Sequence, residues 1–485
     1  MNIPQVKRIT DFKWLVEKSG DMNAPAIIYG NQETIRNLTA DVESGKEWNA
    51  LLQLINVACL PGIQKAALAM ADVHPGYGFP IGGVGAFDLD KGVISVAGIG
   101  FDINCGVHDM IIPLKREDVE KKKSQLAEEL FKKIPAGLGS EGQIRLKPSD
   151  VDEVLIKGAK YAIATGYGSK ADLDFIEENG CVDGADPTAV SDIAKKREGK
   201  QLGTLGSGNH YLEVQYVDQI YDEKAASAFG LSKDQILVSI HCGSRALGHQ
   251  IGTDYLPFLE QASKKYNIPI RDKELVCAPI SSPEGKKYFS AVNAGMNLAF
   301  ANRQVLGHLT RQVLAKVFGI DESEIKTFYD IGHNNAKLEE HKVDGVSKKL
   351  LIHRKGATRA FGPNRIEVSE KYRRIGQPVL VGGTMGTASY IMHGTEFGMS
   401  ETFGSALHGA GRCMSRMAAK RKWWGDTLVK ELASKGIIIK AHSRTGVAEE
   451  APGAYKLVDE VVDIMHNSGI VRKVVKLRPL ISIKG

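Results

Sequence analysis

No two of the six cysteines, at 59, 105, 181, 242, 277 and 413, lie closer than Cys242 and Cys277, so the chain contains no CxxC. That spacing excludes an ordinary zinc knuckle or ribbon. A disulfide framework is equally unsupported in a long chain without a secretion signal. No apolar run reaches the ~18 residues that cross a bilayer. The amino-terminal stretch MNIPQVKRITDFKWLVEKSG has no signal-peptide core. The chain therefore reads as cytoplasmic, with no membrane partner. There is no HExxH, which removes the main support for a metalloprotease, and no GK[ST], which excludes a Walker A loop. Heptads, long repeats and low-complexity segments are also absent.

What is present is a globular composition: 485 residues, 43% hydrophobic and 25% charged. A prior of about 150 residues per domain allows roughly three domains. The candidate chemistry nevertheless runs from residue 72 to residue 484, which argues for one interlocked catalytic unit over residues 1–485. The net charge of +6 is mild. It is concentrated in KKREGK (Lys195 to Lys200), KYRR (Lys371 to Arg374), KRKWW (Lys420 to Trp424) and the carboxy-terminal RKVVKLRPLISIKG. Each reads as a solvated face, but cations track phosphates and aromatic faces stack bases. Together, and with Trp423 and Trp424 interleaved, the clusters permit a nucleic-acid partner.

Apolar periodicity predicts helices over 116–134, 189–197, 291–317, 411–424 and 427–435. Strand-like runs are GVISVAG, YLEVQYV, ILVSI, KTFYDI, LLIH and QPVLV. Strands and helices do not alternate regularly, so the expected fold is a large mixed α+β catalytic domain and not a doubly wound sheet. Its active site is expected on loops at strand ends.

One context recurs at those ends: an apolar run stops, a glycine appears, and a metal-competent side chain stands beside it. GIGFDINCG supplies Asp102 and Cys105, GSGNHYLEV supplies His210, ILVSIHCGSR supplies His241, and FYDIGHNN supplies His333. Taken singly, each histidine reads as a hydrogen-bonded structural residue. Four repetitions of one context point to a shared metal site, since rigid strand tips fix ligand geometry. Imidazole and thiolate suit zinc, iron, cobalt or manganese, and the carboxylate pulls toward the harder ions. A thiolate or carboxylate can bridge two ions, which then clamp a phosphoryl group.

Two glycine-rich stretches fit phosphates. VLVGGTMGTASY would turn backbone N–H groups of Gly382, Gly383 and Gly386 inward as an anion nest. FGSALHGAGRCMSR places His408, Gly409, Gly411 and Arg412 ahead of a helix whose N-terminus would favour negative charge. A tight turn is the alternative for either. GLGSEG, from Gly137 to Gly142, follows a helix and a proline where a dinucleotide fingerprint would follow a strand, and it reads as a loop. KVDG, from Lys342 to Gly345, matches the signature of lysine-nucleophile ligases but reads as a surface turn. A neutral His408 nitrogen is able to attack phosphorus if cations and amides stabilise the phosphoryl oxygens.

DVHPGYGFPIGGVGAFD, GFDINCGV, LGTLGSGNHYLEV, SIHCGSRALGHQ, FYDIGHNNAK, HRKGATRAFGP, GGTMGTASY, ALHGAGR and EEAPGAYK, in this order from about residue 55 to the end, closely resemble the RtcB family of RNA-splicing ligases. The resemblance implies a GTP- and Mn(II)-dependent enzyme that joins RNA 2′,3′-cyclic phosphate or 3′-phosphate ends to 5′-hydroxyl ends. It places metal ligands on Asp102, Cys105, His210, His241 and His333, and a guanylylated nucleophile on His408. Nucleotide contacts would be Asn209, His210, Tyr211, Leu212 and Glu213; His333 and Asn334; Gly382, Gly383, Thr384 and Met385; Ser389; His408, Gly409, Ala410 and Gly411; Lys484; and Tyr455 near the base. The implied partners are tRNA halves or broken RNA ends, GTP, and the activator archease; the implied roles are tRNA splicing and RNA repair.

Three positions depart from the family pattern: Thr384 stands where Ser is common, His108 where Arg often follows the valine, and Cys242 where Ser is expected. The adjacency of Cys242 to His241 raises the expectation of redox or zinc sensitivity. Two rival readings remain at this stage: a metal-dependent phosphohydrolase, which has no use for His408, and a non-catalytic RNA-binding protein, which needs only the basic faces.

Overall fold

A computed structural model describes residues 4–485. Two large sheets carry the architecture. The first runs in the order Val6–Arg8, Lys13–Val16, Ala26–Tyr29, Ala67–His74, Ile81–Asp88, Val346–Lys355 and Asn334–Val343. The second runs Lys326–Gly332, Gly106–Lys115, Gln235–Cys242, Tyr211–Ile220, Val471–Lys484, Ser389–Gly394 and Pro378–Val381, with Ile438–Ala441 parallel beside the carboxy-terminal strand. Apart from that strand and the parallel pairing of Ala26–Tyr29 with Ala67–His74, neighbours are antiparallel. The architecture is α+β and not doubly wound, as the irregular alternation of elements implied. Among the described residues no helix is long and apolar enough to cross a membrane.

The long helix Pro283–Phe318 is buried along most of its length against the second sheet. It begins well before the expected 291. Ser282 caps it by accepting from the Gly285 N–H, and Pro283 occupies the first turn, where its missing N–H costs nothing. Gly319 ends it at φ 70°. The helix expected over 116–134 is found as Arg116–Lys133. The one expected over 411–424 is shorter: Gly411 sits at φ 76°, Ser415 is the N-cap, and the helix is Arg416–Lys422. The KVDG turn closes the hairpin between Asn334–Val343 and Val346–Lys355, with Asp344 and Gly345 both left-handed at φ 51° and 80°. GLGSEG is a loop whose Gly137 and Gly142 N–H groups donate to Gly206 and Lys200 carbonyls.

The two sheets share a buried apolar cluster, in which Val84, Ala86 and Ile352 of the first join Val379, Tyr390 and Met392 of the second, and the chain steps directly from one sheet to the other at a single residue. His333 alone separates strand Lys326–Gly332 of the second sheet from strand Asn334–Val343 of the first. Its N–H donates to the Cys105 carbonyl at 2.8 Å, and its own carbonyl accepts from Ala357 N–H at 3.1 Å.

Beneath this crossing, Arg303 of the long helix binds three strand ends together. Its Nη1 donates to the carbonyls of Asn104 (2.7 Å) and Cys242 (2.9 Å), and its Nε and Nη2 grip the Asp330 carboxylate at 2.7 to 3.0 Å. The His108 Nδ1–H donates to the same carboxylate at 3.0 Å, and all three side chains are fully buried. A buried pair that loses one partner leaves an uncompensated charge. Arg303→Met is therefore expected to lower the unfolding free energy in urea by about 3–5 kcal/mol. Arg303→Lys should recover only part of this, because one ammonium cannot serve the carboxylate and both carbonyls at once.

Candidate active site

Strand ends and one tight turn bring the five ligand candidates together. In GIGFDINCG, Asn104 adopts φ 52°, a left-handed conformation that asparagine tolerates better than most residues. Its N–H donates to the Asn334 carbonyl at 2.6 Å and its Nδ2 to the Met296 carbonyl at 3.2 Å, so the turn is pinned to two other elements. Asp102 and Cys105 project from it. His241 ends strand Gln235–Cys242 one residue early, and His210 stands just before strand Tyr211–Ile220. A Cβ at Gly243 would lie 2.3 Å from Asp102 Oδ1, so the glycine of HCGSR is what leaves room for that carboxylate.

Cys105 Sγ lies 3.2 Å from His241 Nε2 and 3.4 Å from His210 Nε2. His210 Nε2 is 2.8 Å from Asp102 Oδ2, and His241 Nε2 is 3.2 Å from His333 Nε2. The donors form two triads, Cys105–His241–His333 and Asp102–Cys105–His210, and each triad can hold a metal ion. Cys105 belongs to both. Metal–donor bonds of 2.0–2.3 Å place neighbouring donors about 3 Å apart, which matches these separations.

The protonation chemistry fits a cation as well. His241 Nδ1–H donates to the Asn209 carbonyl at 3.1 Å, so its Nε2 lone pair faces His333 Nε2 across 3.2 Å. Burial, and then the neighbouring imidazoles His210 and His408, push His241 well below the ordinary histidine range. Burial followed by His408 and His241 does the same to His333. Both rings are thus neutral. Asp102 Oδ1 has no hydrogen-bond partner among the described residues. Burial works against its charge, yet His210 holds the Asp102 carboxyl down at about 2. Burial and then Asp102 push the Cys105 thiol up to about 12. Burial likewise disfavours His210 imidazolium, but the neighbouring Cys105, Cys242 and Asp102, the last hydrogen-bonded to it, keep it above the ordinary range. Lone pairs converging on one buried point are what a cation satisfies.

His408 follows the short strand Ser405–Leu407 and lies beside the cluster, its ring centroid 4.7 Å from that of His333. Its Nδ1 is 2.7 Å from Oδ2 of the fully buried Asp72, which also accepts the main-chain N–H groups of His408 (3.1 Å) and Gly409 (3.3 Å). Burial opposes the Asp72 charge, but hydrogen bonding to His408 holds it below the usual carboxylate range. The carboxylate is therefore the acceptor and Nδ1 the donor, which leaves Nε2 as the ring nitrogen not engaged by Asp72. A Cβ at Gly356, itself at φ 59°, would clash with Ile81 Cγ2 at 2.2 Å and press to 3.1 Å from the His408 ring, which accounts for the glycine of HRKGATR.

These groups open on a cavity of about 410 Å³. Of the residues named from the resemblance, Asn209, Tyr211, His333 and Asn334 line it, as do Gly382 to Met385, His408 to Gly411, Tyr455 and Lys484. Three do not. Leu212 points to the opposite face of its strand, into the core. Ser389 lies behind the glycine loop, its Oγ accepting from Gly383 N–H at 3.1 Å. Glu213 is buried in a row with Asp109, Ser239 and Ser482, where burial pushes both Asp109 and Glu213 up to about 7.

The structure corrects two readings drawn from the residues and places Cys242. Gly382 and Gly383 do not form an anion nest, because their N–H groups donate to the His408 carbonyl and Ser389 Oγ, and that of Thr384 donates to Thr387 Oγ1. Their service is close approach: a Cβ at Gly382 would meet the Tyr211 hydroxyl at 2.6 Å. The glycines near His408 do not form a helix N-terminus, because the helix starts only at Arg416. Cys242 does not join the metal cluster. Strand alternation turns it to the other face, where Sγ lies 2.9 Å from the Leu205 carbonyl and accepts from Asn302 Nδ2 at 3.1 Å, fully buried.

Sequence reasoning assigned no role to Asp72, although ALAMADVHPG shows the same apolar-run-then-glycine context as the ligands. It also gave no role to Glu450, which binds the Tyr455 hydroxyl and Arg412. Arg412 in turn stacks on Tyr455, with Cζ 4.8 Å from the ring centroid.

Fold and site define a class: an α+β protein in which a cysteine-containing, metal-competent cluster and an aspartate-oriented histidine share one cavity. A family model described as tRNA-splicing ligase RtcB matches residues 53–485. Relatives carrying that name include those of Archaeoglobus fulgidus, 51% identical over 99% of both chains, and Methanococcus maripaludis, 52% identical over 96% of this chain and 95% of the relative. That of Thermococcus kodakarensis is 49% identical over 99% of both. The chain belongs to the RtcB family.

Metal binding must displace the Cys105 proton and, where His210 is charged, a second one; neutral His241 and His333 and ionised Asp102 release none. Cobalt(II) affinity, read from the thiolate-to-metal absorption band, should therefore rise by about one to two log units per pH unit between pH 6 and 8. Cys105→Ala should remove both the band and the steep slope.

Proposed function

We propose that this chain is a GTP- and Mn(II)-dependent RNA ligase that joins a 3′-phosphate end, or a 2′,3′-cyclic phosphate end after its hydrolytic opening, to a 5′-hydroxyl end. The observation that carries this reading is His408: an Asp72-oriented imidazole with a free Nε2, opening on the same cavity as a metal-competent cluster. A phosphohydrolase has no need of such a nucleophile.

In this reading Cys105, His241 and His333 hold one Mn(II), and Asp102, Cys105 and His210 a second. The ions supply charge stabilisation to phosphoryl oxygens. His408 Nε2 forms a bond to the α-phosphorus of GTP as the bond to pyrophosphate breaks. Asp72 keeps the proton on Nδ1 and stabilises the positive charge that develops on the ring. The RNA 3′-phosphate then takes the GMP from His408, and the 5′-hydroxyl oxygen attacks the activated 3′-phosphate and expels GMP. Arg412, Lys484 and the Tyr455 face supply cationic and aromatic groups for the nucleotide. Residues 1–485 act as one catalytic domain, since the Asp72–His408 pair links a strand of the first sheet to the carboxy-terminal third. The relatives' names support tRNA splicing as the cellular task. RNA repair, a cytoplasmic setting and activation by archease follow from the family resemblance.

Incubation with α-labelled GTP and Mn(II), followed by a denaturing gel, tests this. Wild type is expected to carry acid-labile, alkali-stable label and His408→Ala none. Asp72→Asn should slow labelling on the order of 10²–10⁴-fold by losing control of the tautomer. RNA-phosphate hydrolysis that survives His408→Ala, with no label on wild type, would favour the phosphohydrolase.

A further inference from the structure

The nucleotide candidates occupy only part of the cavity. Its remaining wall is formed by His74, Tyr77, Ile81, Gly100, Phe101 and Lys355, none of which the ligase reading has used. From this wall an aromatic series leads outward: Tyr77 and Phe101 meet edge-on with ring centroids 5.5 Å apart, and Phe101 and His249 lie 5.3 Å apart at an interplanar angle of 30°. Tyr77 and Phe101 are half-buried, and His249 is exposed. One residue further on, Gln250 Oε1 accepts from Arg197 Nη1 at 2.7 Å, which brings the KKREGK cluster to the outer end of the series.

The wall is built to keep its shape. Phe101 rests on helix Arg245–Lys265 at Gly252, where a Cβ would lie 2.6 Å from the ring. Lys355 Nζ donates to the carbonyls of Tyr77 (2.7 Å) and Phe79 (2.9 Å). Gln53 exchanges hydrogen bonds with both main-chain groups of Gly76, and Gly78 N–H donates to Glu274. The loop bearing Tyr77 is thus tied to three other elements.

We propose that the Tyr77–Phe101–His249 series is the stacking subsite for the unpaired terminal nucleosides of an RNA end, with Arg197 and Lys196 taking the phosphates upstream. Aromatic faces stack any base, and cations follow any backbone, so such a track accepts ends of any sequence. Phe101 directly precedes Asp102. A nucleoside stacked there carries its terminal phosphate or hydroxyl to the cluster while leaving the glycine-loop side to GTP. The proposal rests on the ligase reading and adds the place where RNA lies.

The test compares wild type, Phe101→Leu and His249→Ala in two assays: label transfer from α-labelled GTP, which involves no RNA, and the KM for ligation of single-stranded RNA ends. The RNAs are intact, or carry an abasic residue at the 3′-phosphate terminus or at the 5′-hydroxyl terminus. Both variants are expected to label at the wild-type rate, and KM for intact ends should rise about tenfold in Phe101→Leu. One abasic terminus should raise the wild-type KM by a similar factor and leave that of Phe101→Leu unchanged; which strand shows the effect tells which end stacks. If wild type labels and ligates but neither abasic terminus affects it differently from Phe101→Leu, the subsite is wrong. If wild type never labels, it is the ligase reading that falls.

Discussion

A single buried sulfur, with imidazole nitrogens at 3.2 and 3.4 Å on either side, is the constraint on which the rest of the structure depends. Burial that pushes the Cys105 thiol up to about 12 makes a free thiolate too costly there. A cation reverses that balance, but only if the donors are already in place. Three strand ends and one left-handed turn must therefore converge to within hydrogen-bonding distance. Arg303 makes this possible from below by taking up the carbonyls of Asn104 and Cys242, the residues beside Cys105 and His241.

The same geometry explains why the catalytic candidates are so dispersed in sequence. His333 is the single residue between a strand of the second sheet and a strand of the first, so its position depends on both. Asp72, from the first sheet, reaches across 336 residues of chain to orient His408. The cluster and His408 are thereby set by the same sheet-to-sheet contact, and a shift of one sheet would disturb both. Toward the cavity the balance of charge suits anions. Lys484, its ammonium disfavoured by burial and supported by Glu450 and Glu213, lies on the same side as Arg412.

The period-2 and period-3.6 patterns were legible because they arise from local burial. The strand carrying His241, the strand that ends just before His333 and the helix Arg116–Lys133 are found close to where the residues indicate. Element ends were less legible. Pro283 starts a helix that apolar spacing shows only from 291, and Ser415 delays one that spacing begins at 411. The ligand candidates could be read because each has the same glycine-flanked context. Asp72 has that context too, but its partner His408 is distant in sequence, and no local pattern reveals a pairing. The anion-nest reading of Gly382 and Gly383 failed for a related reason: composition shows that a backbone can bend, whereas Ser389 and the His408 carbonyl decide where its N–H groups point.

The proposal that one sulfur serves two cations is tested most directly by anomalous diffraction from a crystal soaked in manganese. Two anomalous peaks are expected, each about 2.5 Å from Cys105 Sγ, one also bonded to His241 and His333 and the other to Asp102 and His210. A lone peak, or any pair that leaves the sulfur outside bonding distance, would contradict it.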